Sequence, residues 1–138
     1  MTSRTARCAC GRVEITVEGE PQQVMTCHCD FCQKRTGSVM SVAAHFAPDQ
    51  IVAISGETTT YNGLEIDGVA AMGGVGIDYR FCSTCGSTLY WSYEFGGRSI
   101  TGIAVGNFVD PDFPAPTVEY FTETRHHWVP PVPGVVQE

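Results

Sequence analysis

Positive charge and long hydrophobic runs are both scarce in this sequence. Lysine and arginine number 8 against 15 aspartate and glutamate residues, and Lys34 is the only lysine, so the formal net charge is -7. Because nucleic-acid binding needs a basic surface that neutralises phosphates, this composition excludes such a function. No apolar run approaches the roughly 18 to 20 residues of a membrane span, and residues 1–7 lack the apolar middle of a signal peptide. We therefore expect a soluble, cytoplasmic protein.

Hydrophobic patterns at helical spacing are also missing over any length that would form a substantial helix. Val13, Ile15 and Val17 instead alternate with polar residues, as in a half-buried strand. Further strands are predicted over residues 38–46, 75–81, 88–93, 100–105 and 118–122, with one short turn of helix after Cys29 through Lys34. The fold class is therefore all-β, with little helix.

Glycine and proline mark the breaks between these strands. Gly73-Gly74 and Gly96-Gly97 predict tight loops, and a proline-rich connection precedes the last strand. At 138 residues, with 43% hydrophobic content, the chain fits a single domain. Residues 130–138 begin with two prolines, and we expect them to form an extended or disordered tail.

Cysteine is dense in the chain, and its number is odd. The seven cysteines are grouped as Cys8/Cys10, Cys27/Cys29/Cys32 and Cys82/Cys85. A disulfide framework is disfavoured because the count is odd, no secretory signal is evident and the cytosol keeps thiols reduced. The bunched spacing is instead typical of metal ligands.

The first and last cysteine pairs predict a closed metal site. The spacing of Cys8 and Cys10 puts both sulfurs on one face of an extended segment. Cys82 and Cys85 form a knuckle in which backbone amides can point at the sulfurs, and Gly86 supplies the permissive conformation that closes it. We expect Cys8, Cys10, Cys82 and Cys85 to bind one structural zinc ion in a shell without a vacancy.

The middle cluster predicts an open metal site. Cys27, Cys29 and Cys32 lie within six residues, and no eighth cysteine is present to complete a four-sulfur shell. Zinc with three protein ligands is the catalytic pattern, so functional interest falls on this cluster. His28, His126 and His127 remain alternatives as a fourth ligand, and metal-free, redox-active thiols are a further alternative.

Charge near the middle cluster suggests a binding role for two residues. Three thiolates on a zinc ion carry a charge of about -1, and a substrate thiolate would add to it, so a nearby cation is expected. Lys34 and Arg35 follow directly after the cluster and are candidates for offsetting this charge or binding a carboxylate. The alternative is that both lie on a solvated surface.

Three cysteine motifs occur in a characteristic order along the chain. They are Cys-x-Cys-Gly at residues 8–11, Cys-His-Cys-x-x-Cys-x-Lys-x-Thr-Gly-Ser at residues 27–38, and Cys-x-x-Cys-Gly-Ser-x-Leu-Tyr at residues 82–90. The stretch from residue 103 to residue 128 adds a glycine-containing strand, a proline connection and a late tryptophan. Together these features resemble the glutathione-dependent formaldehyde-activating enzyme family over nearly the whole chain.

The resemblance implies a fold, two metals and a reaction. The fold would be a β-tent of packed antiparallel sheets, with a structural zinc at the outer cysteine pairs and a catalytic zinc at Cys27, Cys29 and Cys32. The activity would be the reversible condensation of formaldehyde with glutathione to S-hydroxymethylglutathione, a carbon–sulfur lyase reaction. The expected ligand is therefore a small-molecule thiol or thiol adduct.

Two other functional classes stay open at the level of sequence. One is a non-catalytic zinc module that binds a protein partner, as similar tent folds do for small GTPases. The other is a thiol-dependent reductase akin to the methionine-R-sulfoxide reductases. Candidate proton carriers are His126 and His127, because histidine titrates near neutrality, and candidate pocket walls are Tyr90, Trp91, Tyr93 and Trp128.

Overall fold

The computed structural model describes residues 1–62 and 76–138. Within these residues the chain forms eleven strands and one α-helix, which confirms the all-β class. The helix is α1 (Asp30–Thr36). The strands are β1 (Ser3–Arg7), β2 (Glu14–Glu18), β3 (Gln23–Cys27), β4 (Ser41–Phe46), β5 (Ile51–Ser55), β6 (Thr58–Asn62), β7 (Asp78–Cys82), β8 (Thr88–Phe95), β9 (Arg98–Ala104), β10 (Val118–Tyr120) and β11 (Val136–Gln137). In the described ranges, no helix is long and apolar enough to cross a membrane.

A small sheet carries the N-terminal part of the chain. Strands β1, β2 and β5 pair antiparallel in the order β1-β2-β5. The alternation predicted for this region is confirmed, because Val13, Ile15 and Val17 are all fully buried. Strands β1 and β5 were not predicted, and β5 exposes most of its side chains, so it has no buried face for an alternating pattern to reveal.

The large sheet contains the other eight strands, in the order β11-β10-β3-β4-β9-β8-β7-β6. In the part of this order that runs from β3 through β4, β9, β8 and β7 to β6, neighbouring strands pair antiparallel. Strand β10 instead runs parallel to both β3 and β11. A long connection over residues 105–117 leads into β10, so no tight hairpin forces it to run antiparallel to a neighbour. The strand expected from residue 75 is β7, which begins at Asp78; residue 75 and the Gly73-Gly74 loop lie outside the described residues.

Buried side chains on the two faces of the large sheet form separate clusters. One cluster packs the large sheet on the small one and includes Phe46, Leu89 and Ile103 together with Ile15. The second lies on the opposite face and contains Ala43, Ile77, Tyr79, Trp91 and Tyr93, with Phe31 of α1 packed against it. The pairing of β7 with β8 shifts register between Tyr90 and Thr88, and this irregularity lets Leu89 face the first cluster while Trp91 and Tyr93 face the second. The cysteines at the start of α1 lie on this second face of the large sheet.

The C-terminal segment is docked on the large sheet. Val136 pairs with Val118 in β10, and the Glu138 amide donates to the Glu119 carbonyl at 2.7 Å. The sequence predicts an extended or disordered tail over residues 130–138, and the structure instead adds its end to the sheet as the edge strand β11. Pro130, Pro131 and Pro133 prevent strand pairing only locally, because every residue from Gly134 onward has a backbone amide.

Candidate metal centres

Four cysteines meet where the two sheets join. Cys8 and Cys10 follow β1, Cys82 ends β7, and Cys85 lies in the turn before β8. All four sulfurs lie within 4.8 Å of one another, and the cluster can hold a metal ion. The Sγ atoms of Cys8 and Cys10 are 3.6 Å apart, and those of Cys10 and Cys82 are 3.7 Å apart. All seven cysteines are free.

Backbone amides surround this four-cysteine cluster. The Val13 amide donates to the Cys8 sulfur at 3.2 Å, and the amides of Thr84 and Cys85 donate to the Cys82 sulfur at 3.4 Å. Gly86 adopts φ +78°, and its amide donates to the Cys82 carbonyl at 2.9 Å, which confirms its predicted role in closing the knuckle. At Cys8 burial raises the pKa, but the Val13 amide and the thiols of Cys10 and Cys82 lower it more, which favours the thiolate form that a metal requires.

The other three cysteines meet at the start of α1. Cys27 ends β3, Cys29 is the N-cap of α1, and Cys32 lies in the first turn. Their sulfurs also lie within 4.8 Å of one another, so this three-cysteine cluster can hold a metal ion too. The Cys32 amide donates to the Cys29 sulfur at 3.2 Å, so the helix start itself fixes the spacing of these two ligands.

The three thiols of this cluster differ in pKa. Hydrogen bonds from Cys27 and Cys32 lower the pKa of Cys29 to about 2. Hydrogen bonding with Cys29 raises the pKa of Cys27 to about 11, and hydrogen bonds with both neighbours raise that of Cys32. Of the three thiols, Cys29 is therefore the one that ionises most readily.

A cavity of about 580 Å³ opens beside the three-cysteine cluster. Its walls are mostly apolar and aromatic, and they include Phe31, Ile77, Tyr79, Trp91 and Tyr93 of the second core cluster. The four-cysteine cluster does not line this cavity. The three-cysteine cluster therefore faces a space large enough for a small molecule.

The two basic residues of α1 have different surroundings. The Arg35 guanidinium lies over the rings of Tyr79 and Trp91, at 4.5 and 5.0 Å from their centroids, and lines the cavity. Its Nη2 donates to the Ser41 hydroxyl at 3.3 Å, while its buried Nε has no hydrogen-bond partner among the described residues. Lys34 pairs with Asp30 at 3.0 Å on the surface and lines a neighbouring depression.

The cavity wall depends on a glycine opposite Trp91. Gly102 pairs with Trp91 across β8 and β9, and a Cβ at this glycine would lie 2.2 Å from the indole Nε1. We predict that Gly102→Ala displaces the indole and costs about 1–3 kcal/mol of unfolding free energy. Urea denaturation and tryptophan fluorescence measure both effects.

Gly106→Ala is the matched control, because a Cβ there meets nothing within 4 Å. An unchanged indole environment in Gly102→Ala, with stability equal to that of the control, would contradict the close approach of Trp91 to Gly102.

Comparison with known proteins agrees with the arrangement of cysteines. Residues 3–124 match the model of the family described as glutathione-dependent formaldehyde-activating enzyme. The chain belongs to this family. It is also similar to a Rhodobacter sphaeroides protein of known crystal structure, with a TM-score of 0.55 and 25% sequence identity over 78% of this chain and 91% of that one. No curated protein matches the chain.

The histidine inside the family's Cys-His-Cys motif points away from the metal cluster. His28 is fully buried, and its Nε2 lies 3.0 Å from Oε1 of Glu119, a carboxylate that is also buried. The group of metal-ligating atoms at Cys27, Cys29 and Cys32 does not include His28. The backbone alternation that directs Cys27 and Cys29 to one side directs His28 to the other.

The C-terminal histidines do not line the cavity. His127 is exposed, and His126 packs edge-on against Trp128, which is itself 62% exposed. The histidine that does line the cavity is His45 of β4, whose ring packs against Tyr93. Sequence reasoning overlooked it, although its position in an alternating strand with Ala43 indicated the same face.

His45 gives the protein a predicted pH dependence. Burial lowers its pKa from 6.5 to about 4, so the unfolded chain binds a proton that the folded one does not. The full free energy of unfolding is therefore present above the pKa that His45 has in the unfolded chain. It decreases as the pH falls, by about 2 kcal/mol at pH 5. Urea denaturation from pH 7.5 to pH 5 measures the loss.

A His45→Gln variant provides the control for this titration, because glutamine does not titrate. Its stability should change less over the same range. Parallel losses in the two proteins would show that His45 does not carry the effect.

Proposed function

We propose that the protein is a zinc-dependent carbon–sulfur lyase that acts on a thiol adduct such as S-hydroxymethylglutathione. The observation that carries the proposal is the cavity beside Cys27, Cys29 and Cys32. A metal site with a purely structural role is normally saturated and closed, whereas this cluster offers three sulfurs and adjoining space. Family membership supports the choice of glutathione and formaldehyde.

Zinc suits both cysteine clusters. Zn–S bonds of about 2.3 Å at tetrahedral angles separate the sulfurs by about 3.8 Å. The separations of 3.6 and 3.7 Å in the four-cysteine cluster fit this spacing. We propose two zinc ions per chain, a structural one at Cys8, Cys10, Cys82 and Cys85 and a catalytic one at the three-cysteine cluster. Bound there, the second ion would supply Lewis acidity and favour ionisation of a substrate thiol.

The cavity residues have roles in binding and orienting the substrate. Tyr79, Trp91 and Tyr93 form an apolar wall that excludes water. Arg35 is the one lysine or arginine among the described residues of that lining, and its guanidinium lies over the rings of Tyr79 and Trp91. We propose that it binds a carboxylate of the thiol, since its Nε has no protein partner among the described residues. Lys34 is assigned a weaker electrostatic role, because Asp30 already pairs with it.

The reaction makes or breaks one carbon–sulfur bond. In condensation the thiol sulfur attacks the formaldehyde carbon, the carbonyl π bond breaks, and the oxygen gains the proton that the thiol gives up. In the reverse direction the hydroxyl loses that proton, the carbon–sulfur bond breaks, and formaldehyde and the thiol are released. Holding both reactants in a dry cavity lowers the entropy cost of their meeting.

We place this activity in the cytoplasm, where thiols remain reduced. We also propose that the two packed sheets correspond to the family's β-tent.

The test is the rate of adduct formation from formaldehyde and glutathione, compared with the uncatalysed rate. Arg35→Met should raise KM for glutathione about tenfold or more, because a charge-assisted hydrogen bond is lost from a half-buried site. Lys34→Met on the same helix is the matched control, and its KM should change much less. Nuclear magnetic resonance of ¹³C-formaldehyde follows both rates.

Two outcomes would overturn parts of this proposal. Zinc-loaded protein that leaves the uncatalysed rate unchanged, with any of several small thiols, would favour the non-catalytic module. Catalysis with equal KM values in Arg35→Met and Lys34→Met would keep the lyase and remove Arg35 as the carboxylate site.

A further inference from the structure

One buried carboxylate joins the three-cysteine loop to the C-terminal segment. Oε1 of Glu119 accepts hydrogen bonds from Thr26 Oγ1 at 2.9 Å and from His28 Nε2 at 3.0 Å. Its other oxygen, Oε2, accepts from Arg125 at 3.3 Å, the Val132 amide at 2.9 Å and Gln137 Nε2 at 2.8 Å. Glu119 is only 1% exposed. Each oxygen therefore serves a different part of the chain.

Hydrogen bonds hold the backbone amide and carbonyl of His28 as well as its ring. Its amide donates to the Tyr120 carbonyl at 3.0 Å. Its carbonyl accepts from Thr124 Oγ1 at 2.7 Å and from Gln33 Nε2 at 2.9 Å. His28 is the joint between Cys27 at the end of β3 and Cys29 at the start of α1. A rotation at this joint would move the Cys27 sulfur relative to the other two.

The donors to Oε2 come from outside the region that matches the family. The match ends at residue 124, and Arg125, Val132 and Gln137 all follow it. The buried negative charge needs these donors, because an ionised carboxylate without partners is costly in an apolar interior. The C-terminal segment thus completes the environment of Glu119.

We propose that Glu119 is a positioning residue for the three-cysteine cluster, acting through His28, and that residues 125–138 hold it in place. Replacing residues that orient metal ligands through hydrogen bonds commonly changes metal affinity by about 10- to 100-fold. The inference rests on the proposed metal site at Cys27, Cys29 and Cys32, but it does not depend on the lyase reaction.

Glu119→Gln is the direct test, because it keeps the size of the side chain. The carboxamide of the new glutamine has one acceptor oxygen, whereas the carboxylate of Glu119 has two. Its NH₂ group must therefore face at least two of the donors that bind Glu119. The measurement is competition between zinc-loaded protein and a chelator, with released cysteines alkylated and their peptides resolved by mass spectrometry. We expect half-labelling of the three-cysteine peptide at a chelator concentration about tenfold lower than in the unaltered protein. The four-cysteine peptides should not shift.

Val17→Ala is the matched control, since it loosens the core in the small sheet without touching the loop. Gln137→Leu provides a milder test if Glu119→Gln does not fold, with an expected shift of about threefold from the loss of the Gln137 hydrogen bond to Glu119. An unshifted three-cysteine peptide in the folded Glu119 or Gln137 variant would overturn the proposal. An equal shift in Val17→Ala would also overturn it, because general destabilisation would then be the cause.

Failure of the metal site itself is distinguishable from failure of the positioning role. If the unaltered protein binds zinc only at the four-cysteine cluster, the proposed catalytic zinc is wrong. The positioning role is then measured from the alkylation rates of Cys29 and Cys32 in that protein. Faster alkylation in Glu119→Gln, but not in Val17→Ala, would support it, and equal rates in all three proteins would overturn it.

Discussion

Replacement of Cys82 with serine is expected to leave the chain largely unfolded at room temperature. Cys82 is 1% exposed, its sulfur accepts two backbone hydrogen bonds, and it lies in the cluster that joins β7 to the loop after β1. A structural zinc contributes on the order of 10 kcal/mol to folding. That is comparable to the whole unfolding free energy of a typical domain, about 5–15 kcal/mol. Near-ultraviolet circular dichroism and limited proteolysis measure the loss.

The control for this change lies in the same turn. Thr84 is exposed, and it contributes its backbone amide to the Cys82 sulfur, so Thr84→Ala keeps that hydrogen bond. This variant should fold with nearly unchanged stability. A Cys82→Ser protein that unfolds cooperatively at the unaltered midpoint would show that the four-cysteine cluster contributes little to the fold.

Replacement of Cys29 with serine is expected to preserve the fold and abolish activity. Cys29 lies at the cavity, and its removal leaves only two sulfurs to hold a metal there. Serine is among the preferred N-cap residues, so α1 retains a side chain that can accept from the Cys32 amide. Elemental analysis should find one zinc per chain in place of two, with an unfolding midpoint close to that of the unaltered protein.

The pair of cysteine variants tests the division into two kinds of site. If Cys29→Ser and Cys82→Ser lose stability equally, the assignment of one structural and one catalytic cluster is wrong. Retained activity in Cys29→Ser would locate the reaction elsewhere in the molecule.

The grouping of the cysteines was predictable from sequence because ligand spacing is a local property. Residues two or three positions apart must be close in space, and Gly86 indicated the turn that closes the knuckle. The pairing of residues 8 and 10 with residues 82 and 85 then followed from counting sulfurs. Alternation likewise revealed β2 and β7, and the apolar runs at residues 88–93 and 100–105 revealed β8 and β9.

The surroundings of the three-cysteine cluster were less predictable, because they depend on strand neighbours that are distant in sequence. Glu119 follows Val118 in a short strand and has no feature that distinguishes it from a surface residue. Its burial arises only from the parallel pairing of β10 with β3 and β11. His45 was overlooked because alternation placed it on the face of Ala43 without showing that this face lines the cavity.

Strands β3 and β6 were missed for local reasons. The end of β3 is Cys27, and its cysteine spacing indicated a metal-binding loop before it indicated a strand. Strand β6 begins with three threonines and has no fully buried residue, so it lacks the buried alternation that marked β2.

The most direct test of the central claim is calorimetric titration of the zinc-loaded protein with glutathione and with its S-methyl derivative. The claim is that the three-cysteine site binds an ionised thiol. We predict that glutathione binds only while Cys27, Cys29 and Cys32 are intact, and binds more tightly as the pH rises toward its thiol pKa. The S-methyl derivative cannot ionise and should bind much more weakly. Equal affinity for the two ligands would contradict recognition through the sulfur.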